Sequence, residues 1–209
     1  MDNEAKKQKG DWFYENRERL YCRLEKGGKK KRNRDFLRED YLDMEIGYYL
    51  RIGIAEDEFL MMPIKKDYMK KWNVDFDDIR KAAWENTFKD NEPEIIRLDD
   101  LLKEVGGVSY DKECCVYVIT NRNRNFGALC ILYPDLLKKT ADELDGDIFI
   151  LPSSVHECLA LKAGDGLEAS SLRKLVTGIN RTELKPEEVL SNSVYRYSRI
   201  EQSLSIDNS

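Results

Sequence analysis

Short apolar runs separated by polar turns fill the second half of the chain. Residues 114–120 are rich in β-branched and aromatic side chains, and an Asn-Arg repeat at 121–125 separates them from a second apolar run at 126–133. Because Asn tolerates positive φ and bonds its own backbone, this pattern predicts a β-hairpin with its turn at 121–125. Residues 147–151 and 155–161 predict two further strands, the second with alternating faces.

Helical spacing of apolar residues follows several of these runs. Residues 135–144 place Leu and Ala side chains at the helical interval after Pro134, which suits a first helical turn. Residues 75–87 do the same after Asp75, whose carboxylate can cap the helix. Two more helices are predicted, over residues 65–72 and from Ser170 or Ser171 to residue 179.

The first half of the chain and its C-terminal end are less regular. Residues 17–24 and 58–64 predict strands, whereas residues 41–52 fit a helix and a strand equally well. Residues 189–197 are strand-like, and residues 200–209 carry few apolar side chains and predict a frayed tail. The pattern as a whole predicts an α+β fold in which antiparallel β-hairpins are each followed by a covering helix.

The order of hairpin and helix occurs once in each half of the chain. This order leaves open two similar lobes or a common supersecondary sequence that happens to occur twice. A polar stretch with two glycines near residues 102–111 suits a connection. We therefore predict an N-terminal α+β lobe over residues 11–105 and a C-terminal lobe of order ββαββα over residues 106–199, with flexible tails at 1–10 and 200–209.

Composition narrows the class of protein. The chain has 209 residues and a net charge of −5. This charge weakly repels nucleic acid and anionic lipid, so a polyanion site would have to be a local basic patch. The apolar runs are too short to span a bilayer, and the N-terminal residues lack the pattern of a secretory signal. Five cysteines without a CxxC spacing indicate free thiols in a reducing compartment, which predicts a cytoplasmic protein.

The candidate catalytic residues are Ser153, Ser154, His156 and Glu157. His156 is the only histidine, and a neutral imidazole can accept a proton from a serine hydroxyl or from the thiol of Cys158. A strand from Ser154 onward would put His156 and Cys158 on one face and Glu157 on the other, so no carboxylate would orient the imidazole. The alternative is structural, with serine hydroxyls capping backbone groups where a strand begins.

The candidate nucleic-acid-binding residues lie in two predicted loops: Lys29, Lys30, Lys31, Arg32, Arg34, Arg122 and Arg124. Basic side chains bind phosphate without sequence preference, and the second loop would extend the patch of the first if the two lie side by side. A solvated loop is the alternative for such a run of charge.

No motif for a metal or a cofactor stands out, so neither is expected. Cys114 and Cys115 are neighbours in sequence, and their side chains would face opposite ways on a strand, where they could not easily chelate one ion. The sequence lacks the glycine-rich loops that bind mononucleotides and dinucleotides.

Several segments share a pattern with one known family. They are residues 19–52, Met-Lys-Lys-Trp-Asn-Val at 69–74, Glu-Asn-Thr at 85–87, Tyr-Val-Ile-Thr-Asn at 117–121, Phe-Gly-Ala at 126–128, Ile-Leu-Tyr-Pro at 131–134 and, most specifically, Ile-Leu-Pro-Ser-Ser-Val-His-Glu at 150–157. Over residues 17–197 the chain resembles a bacterial family catalogued as domain of unknown function 5688. The resemblance implies a bacterial cytoplasmic protein, carried in some members by mobile elements, and it implies no activity.

Three hypotheses for the function follow. The first is a non-catalytic binding or regulatory protein that contacts a protein partner, because no specific catalytic constellation is present. The second is a hydrolase or transferase that uses His156 with Ser153, Ser154 or Cys158. The third is a nucleic-acid binder acting through residues 29–34. A concave pocket that exposes His156 would favour the enzyme, and a surface patch without a cleft would favour the binding protein.

Overall fold

The structure is a computed structural model that describes residues 11–28, 35–55, 58–104, 116–164 and 166–209. Its strands are β1 Leu20–Lys26, β2 Arg38–Tyr41, β3 Met44–Ala55, β4 Glu58–Pro63, β5 Pro93–Arg97, β6 Val116–Asn121, β7 Ile148–Pro152, β8 Cys158–Lys162, β9 Tyr195–Ser198 and β10 Ser203–Ile206. Its α-helices are α1 Asp11–Asn16, α2 Asp67–Trp72, α3 Phe76–Asp90, α4 Leu98–Glu104, α5 Leu136–Glu143 and α6 Ala169–Thr182, and 3-10 helices lie at Arg17–Arg19 and Gly127–Leu132.

The first sheet is a four-stranded antiparallel sheet with β3 at its centre. β1 pairs with one side of β3, while β2 and β4 share the other side, where β2 pairs with residues 44–47 and β4 with residues 49–55. The ambiguous segment 41–52 is therefore extended. Met44, Ile46 and Tyr48 alternate into the core, as the period of a strand requires.

α3 covers one face of this sheet and begins where the sequence predicts. The Asp75 carboxylate accepts a bond from the Asp78 N–H at 2.9 Å, and the Asp78 carboxylate accepts one from the Asp75 N–H at 3.1 Å. This reciprocal pair is a capping box, which satisfies backbone donors that a helix start leaves free. Ile79 and Ala83 are buried against the sheet, so capping and apolar spacing together fix the helix.

The second sheet has six strands in the order β10-β9-β7-β8-β6-β5, and all its pairs are antiparallel. α6 covers one face, where Leu172 and Val176 pack with Phe149, Leu151 and Leu161. The other face contributes to a larger core. Helices and antiparallel sheets together confirm the predicted α+β class.

The larger core is continuous between the two sheets. Leu20 and Tyr48 of the first sheet and Ile119, Ile150 and Tyr195 of the second belong to one cluster of buried side chains. β5 lies in the second sheet, so the chain passes from one sheet to the other between α3 and β5. The predicted lobe boundary after residue 105 falls in residues 105–115, outside the described residues.

The return strand predicted over residues 126–133 is absent, and Gly127–Leu132 form a 3-10 helix in its place. Phe126 lies between the turn that follows β6 and this helix, and its backbone is left-handed, with φ of 52°. Gly127 then approaches β6 so closely that a Cβ there would lie 2.5 Å from the Asn121 nitrogen. The side chains from Ala128 to Ile131 are buried, and a buried apolar run has no period that separates a helix from a strand. β6 pairs instead with β5 and β8.

The strands near the C-terminus also differ from the prediction. β8 begins only at Cys158, and residues 153–157 form the connection from β7. The strand predicted over residues 189–197 is confined to Tyr195–Ser198. Residues 203–206 are not a frayed tail but β10, because their backbone pairs with β9. The helix predicted from Ser170 or Ser171 is α6, and it begins slightly earlier, at Ala169.

Candidate functional site

The connection between β7 and β8, residues 153–157, is the His156 loop. Its backbone is held by local bonds: the Ser154 N–H donates to the Glu157 carbonyl at 3.1 Å, and the His156 N–H donates to the Ser154 hydroxyl at 3.0 Å. Pro152 ends β7, so a serine hydroxyl satisfies a donor that the strand no longer pairs. Ser154 therefore serves the turn through its oxygen.

The His156 side chain joins this loop to the 3-10 helix. Its Nδ1 accepts a bond from the Phe126 N–H at 3.2 Å, and its ring lies 5.3 Å from the Phe126 ring. The Thr120 hydroxyl donates to the His156 carbonyl at 2.9 Å. Since Nδ1 is an acceptor, the neutral imidazole carries its hydrogen on Nε2. The ring thus helps to fix the sharp change of direction after β6.

The candidate nucleophiles have other partners than the imidazole. The Ser153 hydroxyl contacts a Glu157 carboxylate oxygen at 3.5 Å, at the limit of a hydrogen bond. Cys158 lies in β8 with no exposed surface, and burial raises the pKa of its thiol far above the usual range. The sequence predicts that Ser154, His156 and Cys158 share one face of a strand. Only Cys158 lies on a strand, because Ser154 and His156 belong to the His156 loop. The dyad hypothesis stays a prediction, and these bonds give His156 a positioning role.

The Phe126 ring also connects the His156 loop to a buried charged cluster. The Arg23 guanidinium lies between the Phe126 and Tyr49 rings, 4.3 Å and 4.0 Å from their centroids. Its Nε donates to a Glu25 oxygen at 2.7 Å, and the Tyr49 hydroxyl donates to that same oxygen. Arg38 completes the cluster with a contact of 2.5 Å to the other Glu25 oxygen. Stacking and ion pairing therefore hold Arg23 in one position.

Glu25 is 5% exposed, so its charge depends on these partners. Burial by itself would raise the pKa of the Glu25 carboxyl, but the charges of Arg23 and Arg38 and the bond from Tyr49 hold that pKa below its usual range. The sequence does not reveal the cluster. Arg23 and Glu25 alternate with apolar residues, and this is the pattern of a strand with one face exposed to solvent. The pairing of β1 with β3 buries Glu25, and the Phe126 ring covers Arg23, whose side chain stays partly exposed.

The candidate polyanion-binding residues are only partly described. Lys29, Lys30, Lys31, Arg32 and Arg34 lie outside the described residues, as do Cys114 and Cys115. Arg122 and Arg124 are exposed. Arg122 pairs with Glu92 at 3.1 Å, just before the neighbouring strand β5, and Arg124 pairs with Glu94 at 4.0 Å, near the start of that strand. Surface pairs of this kind contribute little to stability, but they offset the positive charge of the turn.

A cleft of about 470 Å³ lies where α3, α5 and the β9–β10 hairpin meet. We call it the α3–β10 cleft. Its lining comes from distant parts of the chain: Tyr41, Ile46, Trp84, Phe88, Ile131, Leu132, Tyr133, Pro134, Asp135, Leu137, Lys138, Tyr197, Gln202 and Leu204. Sequence inspection misses it, because each of these residues by itself suits a core or a loop position. The shared core of the two sheets brings them together.

Several polar groups line the cleft, and some of them are already engaged. The Tyr133 hydroxyl lies within hydrogen-bond distance of the Thr87 and Asn91 carbonyls, at 3.2 Å and 3.0 Å. Lys138 pairs with Asp142 at 2.7 Å, and burial raises the pKa of Tyr41. Among the lining residues that the structure describes there is no serine, threonine, cysteine or histidine. The cleft can therefore hold an apolar or aromatic group, but it offers no nucleophile of the predicted kind.

Two other kinds of feature are absent from the part of the chain that the structure describes. No helix there is both long enough and apolar enough to cross a membrane. In the same residues, no group of three or more His, Cys, Asp and Glu side chains could hold a metal ion.

The chain was compared with known families and proteins. A family model described as a family of unknown function, DUF5688, matches residues 4–199. No curated protein and no solved structure matches the chain. The family match agrees with the resemblance of residues 17–197.

Proposed function

The chain belongs to the family of unknown function DUF5688, and from its geometry we propose that it is a non-catalytic binding protein. Its ligand or partner enters the α3–β10 cleft. The single observation that carries this proposal is the cleft itself, which is concave, lined with aromatic rings and about equally apolar and polar at its surface. A regulatory role and a link to mobile elements belong to the same proposal. The first rests on the lack of a specific catalytic constellation in the sequence, and the second rests on the resemblance to the family.

The size and the lining of the cleft support binding. Ligand sites in proteins are clefts of about 300–1,000 Å³, with apolar and aromatic walls and a few polar groups. The α3–β10 cleft, at about 470 Å³, lies within this range. A surface patch without a cleft was the feature expected of a binding protein, so this site differs in shape from that expectation.

The contacts of the candidate catalytic residues favour binding over catalysis. Nδ1 of His156 is the nitrogen without a hydrogen in this tautomer, and so the one that could act as a base, but it already accepts the Phe126 N–H. The Ser154 oxygen accepts a backbone N–H, and Cys158 is sealed in the core. None of the residues that line the cleft belongs to the His156 loop. A reaction at His156 would therefore take place outside the cleft.

Fragment binding followed by NMR tests the proposal. Of the three tryptophans, Trp84 lines the cleft, whereas Trp12 and Trp72 stack on each other at 4.4 Å. We expect small aromatic fragments to shift the indole N–H resonance of Trp84 and to leave those of Trp12 and Trp72 unchanged. A Trp84→Phe variant assigns the resonance.

Two matched variants control this experiment. Leu204→Trp places a large ring in the cleft and should abolish the fragment shifts. Leu175→Trp adds the same ring on α6, where Leu175 is 55% exposed, and should leave the shifts intact. The proposal is wrong if no fragment shifts the Trp84 resonance, or if both variants retain the shifts equally.

A further inference from the structure

β10 is an edge strand, and its register shows which backbone groups face outward. Ser205 lies opposite Arg196, Leu204 opposite Tyr197, and the Asp207 N–H donates to the Val194 carbonyl at 2.9 Å. Backbone groups of an antiparallel strand point to alternate sides, so Ser203, Ser205 and Asp207 bond toward β9. The N–H and C=O groups of Leu204 and Ile206 therefore point away from the sheet.

These outward groups have no hydrogen-bond partner within the part of the chain that the structure describes. Unpaired N–H and C=O groups in a row are a template for another strand. β10 carries no proline or lysine, and its only outward backbone groups are those of Leu204 and Ile206. The edge is thus open to strand addition.

The same edge borders the α3–β10 cleft. Leu204 lines the cleft and lies opposite Tyr197, another lining residue, on the same face of the sheet. A strand added beyond β10 would direct every second side chain toward this face. The side chain beside Leu204 would then lie at the cleft, across from Trp84 and Phe88 of α3.

We infer that the ligand of the cleft is an extended peptide segment of a protein partner. The segment pairs with β10 as a seventh strand and places an apolar or aromatic side chain in the cleft. This inference rests on the proposed function and names its ligand class. In this mode of recognition, main-chain bonds supply affinity and a pocket for alternate side chains supplies specificity.

A second copy of this chain fits the edge less well. β10 has four residues, and only the N–H and C=O groups of Leu204 and Ile206 are available for pairing. A stable interface between two folded proteins buries roughly 1,200–2,000 Å². A pairing of two such short edges is small beside that area, whereas a peptide can use the edge and the cleft together.

Selection from a displayed library of random short peptides tests the inference on the full chain. We expect the enriched peptides to alternate apolar and polar residues. N-methylation of a selected peptide should weaken binding about tenfold at positions whose N–H faces β10, because hydrogen bonds are lost. Methylation at the intervening positions is the matched control and should have little effect. Leu204→Trp should abolish binding, while Leu175→Trp should not.

The outcomes separate this inference from the proposed function. Peptides equally sensitive to methylation at both sets of positions would overturn the strand model. If no peptide is enriched while aromatic fragments still shift the Trp84 resonance, the inference of a peptide ligand is wrong, but the proposal of a binding cleft is supported. If fragments fail as well, both proposals fall. Concentration-dependent dimerisation that Leu204→Pro abolishes would assign the edge to a second copy and overturn the inference.

Discussion

At the residue scale, Asp43 connects the two sheets. It lies in the turn between β2 and β3, and its carboxylate accepts bonds from the hydroxyls of Ser191 at 2.7 Å, Ser193 at 2.8 Å and Tyr195 at 2.5 Å. Burial by itself would raise the pKa of Asp43, but these three bonds hold it below its usual range. One carboxylate thus joins segments about 150 residues apart, a distance that sequence inspection cannot bridge.

Asp43→Asn should destabilise the protein by about 1 kcal/mol at neutral pH, because a neutral amide accepts these bonds less strongly than a carboxylate does. The loss stays this small because solvent screens the exposed side of the residue. A lowered folded-state pKa gives stability that is present above the unfolded pKa, near 3.9, and is lost as the pH falls through the folded pKa. Urea unfolding should therefore show a difference between wild type and variant that shrinks in acid.

Asp145→Asn is the control for this prediction. The Asp145 side chain is 84% exposed and pairs only at the surface, with Arg199 at 2.8 Å. Its replacement should change stability by less than about 0.5 kcal/mol. A pH-independent difference for Asp43→Asn would contradict the role given to its charge.

Gly127 shows a second constraint at this scale. A Cβ there would lie 2.5 Å from the Asn121 nitrogen and 2.7 Å from the His156 carbonyl oxygen, both of them backbone atoms. Gly127→Ala should therefore cost about 1–3 kcal/mol of the free energy of unfolding. The variant also tests whether the contact between β6 and the His156 loop holds the fold together.

Gly178→Ala provides the matched comparison for Gly127→Ala. Gly178 lies inside α6 with no atom near the position of an added Cβ. The same substitution should stabilise there by up to about 1 kcal/mol, since Ala favours a helix over Gly. Thermal unfolding of the two variants should show shifts of opposite sign. Equal shifts would mean that the close approach at Gly127 is not what limits the site.

At the scale of elements, local signals defined the helices better than the strands. α3 begins after Asp75 as predicted, and α5, Leu136–Glu143, lies within the predicted residues 135–144. A helix cap and the spacing of apolar residues involve only one or two helical turns, so a short stretch of sequence holds the whole signal. The prediction of a strand at the 3-10 helix Gly127–Leu132 is wrong. Distant segments bury this helix on every side, so its residues are apolar throughout and show no helical period.

Asp75→Ala tests the cap of α3. Loss of the capping box should lower the free energy of unfolding by about 1 kcal/mol, as measured by urea denaturation. Asp77→Ala is the control, since Asp77 is exposed and only pairs with Arg80 at 2.9 Å. Its loss should be smaller, because exposed pairs contribute little. Equal effects would show that general negative charge, rather than the cap, stabilises the helix start.

At the scale of the whole molecule, the shared core should make unfolding a single event. Side chains of both sheets belong to the larger buried cluster, so the first sheet keeps no core of its own when the second unfolds, and the second keeps only the smaller cluster under α6. Cooperative domains show coincident transitions by different probes. The three tryptophans, Trp12, Trp72 and Trp84, all lie in the part of the chain that precedes the second sheet.

Urea unfolding followed by tryptophan fluorescence should therefore coincide with unfolding followed by far-UV circular dichroism. The first signal reports on the first sheet through Trp12 and Trp72 and on the α3–β10 cleft through Trp84, and the second reports on the whole of both sheets. Two separated transitions would mean that the sheets unfold as independent lobes. That result would favour the boundary between two lobes that the sequence suggested.

By itself, the sequence determined the α+β class, the positions of α3 and α5, and the membership of the family, since caps, helical spacing and short motifs are local. Tertiary structure alone decided the rest. It formed the 3-10 helix Gly127–Leu132, paired β10 with β9, brought Arg23 against the buried Glu25, and assembled the α3–β10 cleft. Each of these features depends on which distant segments meet, and the order of polar and apolar residues along one segment does not specify its neighbours.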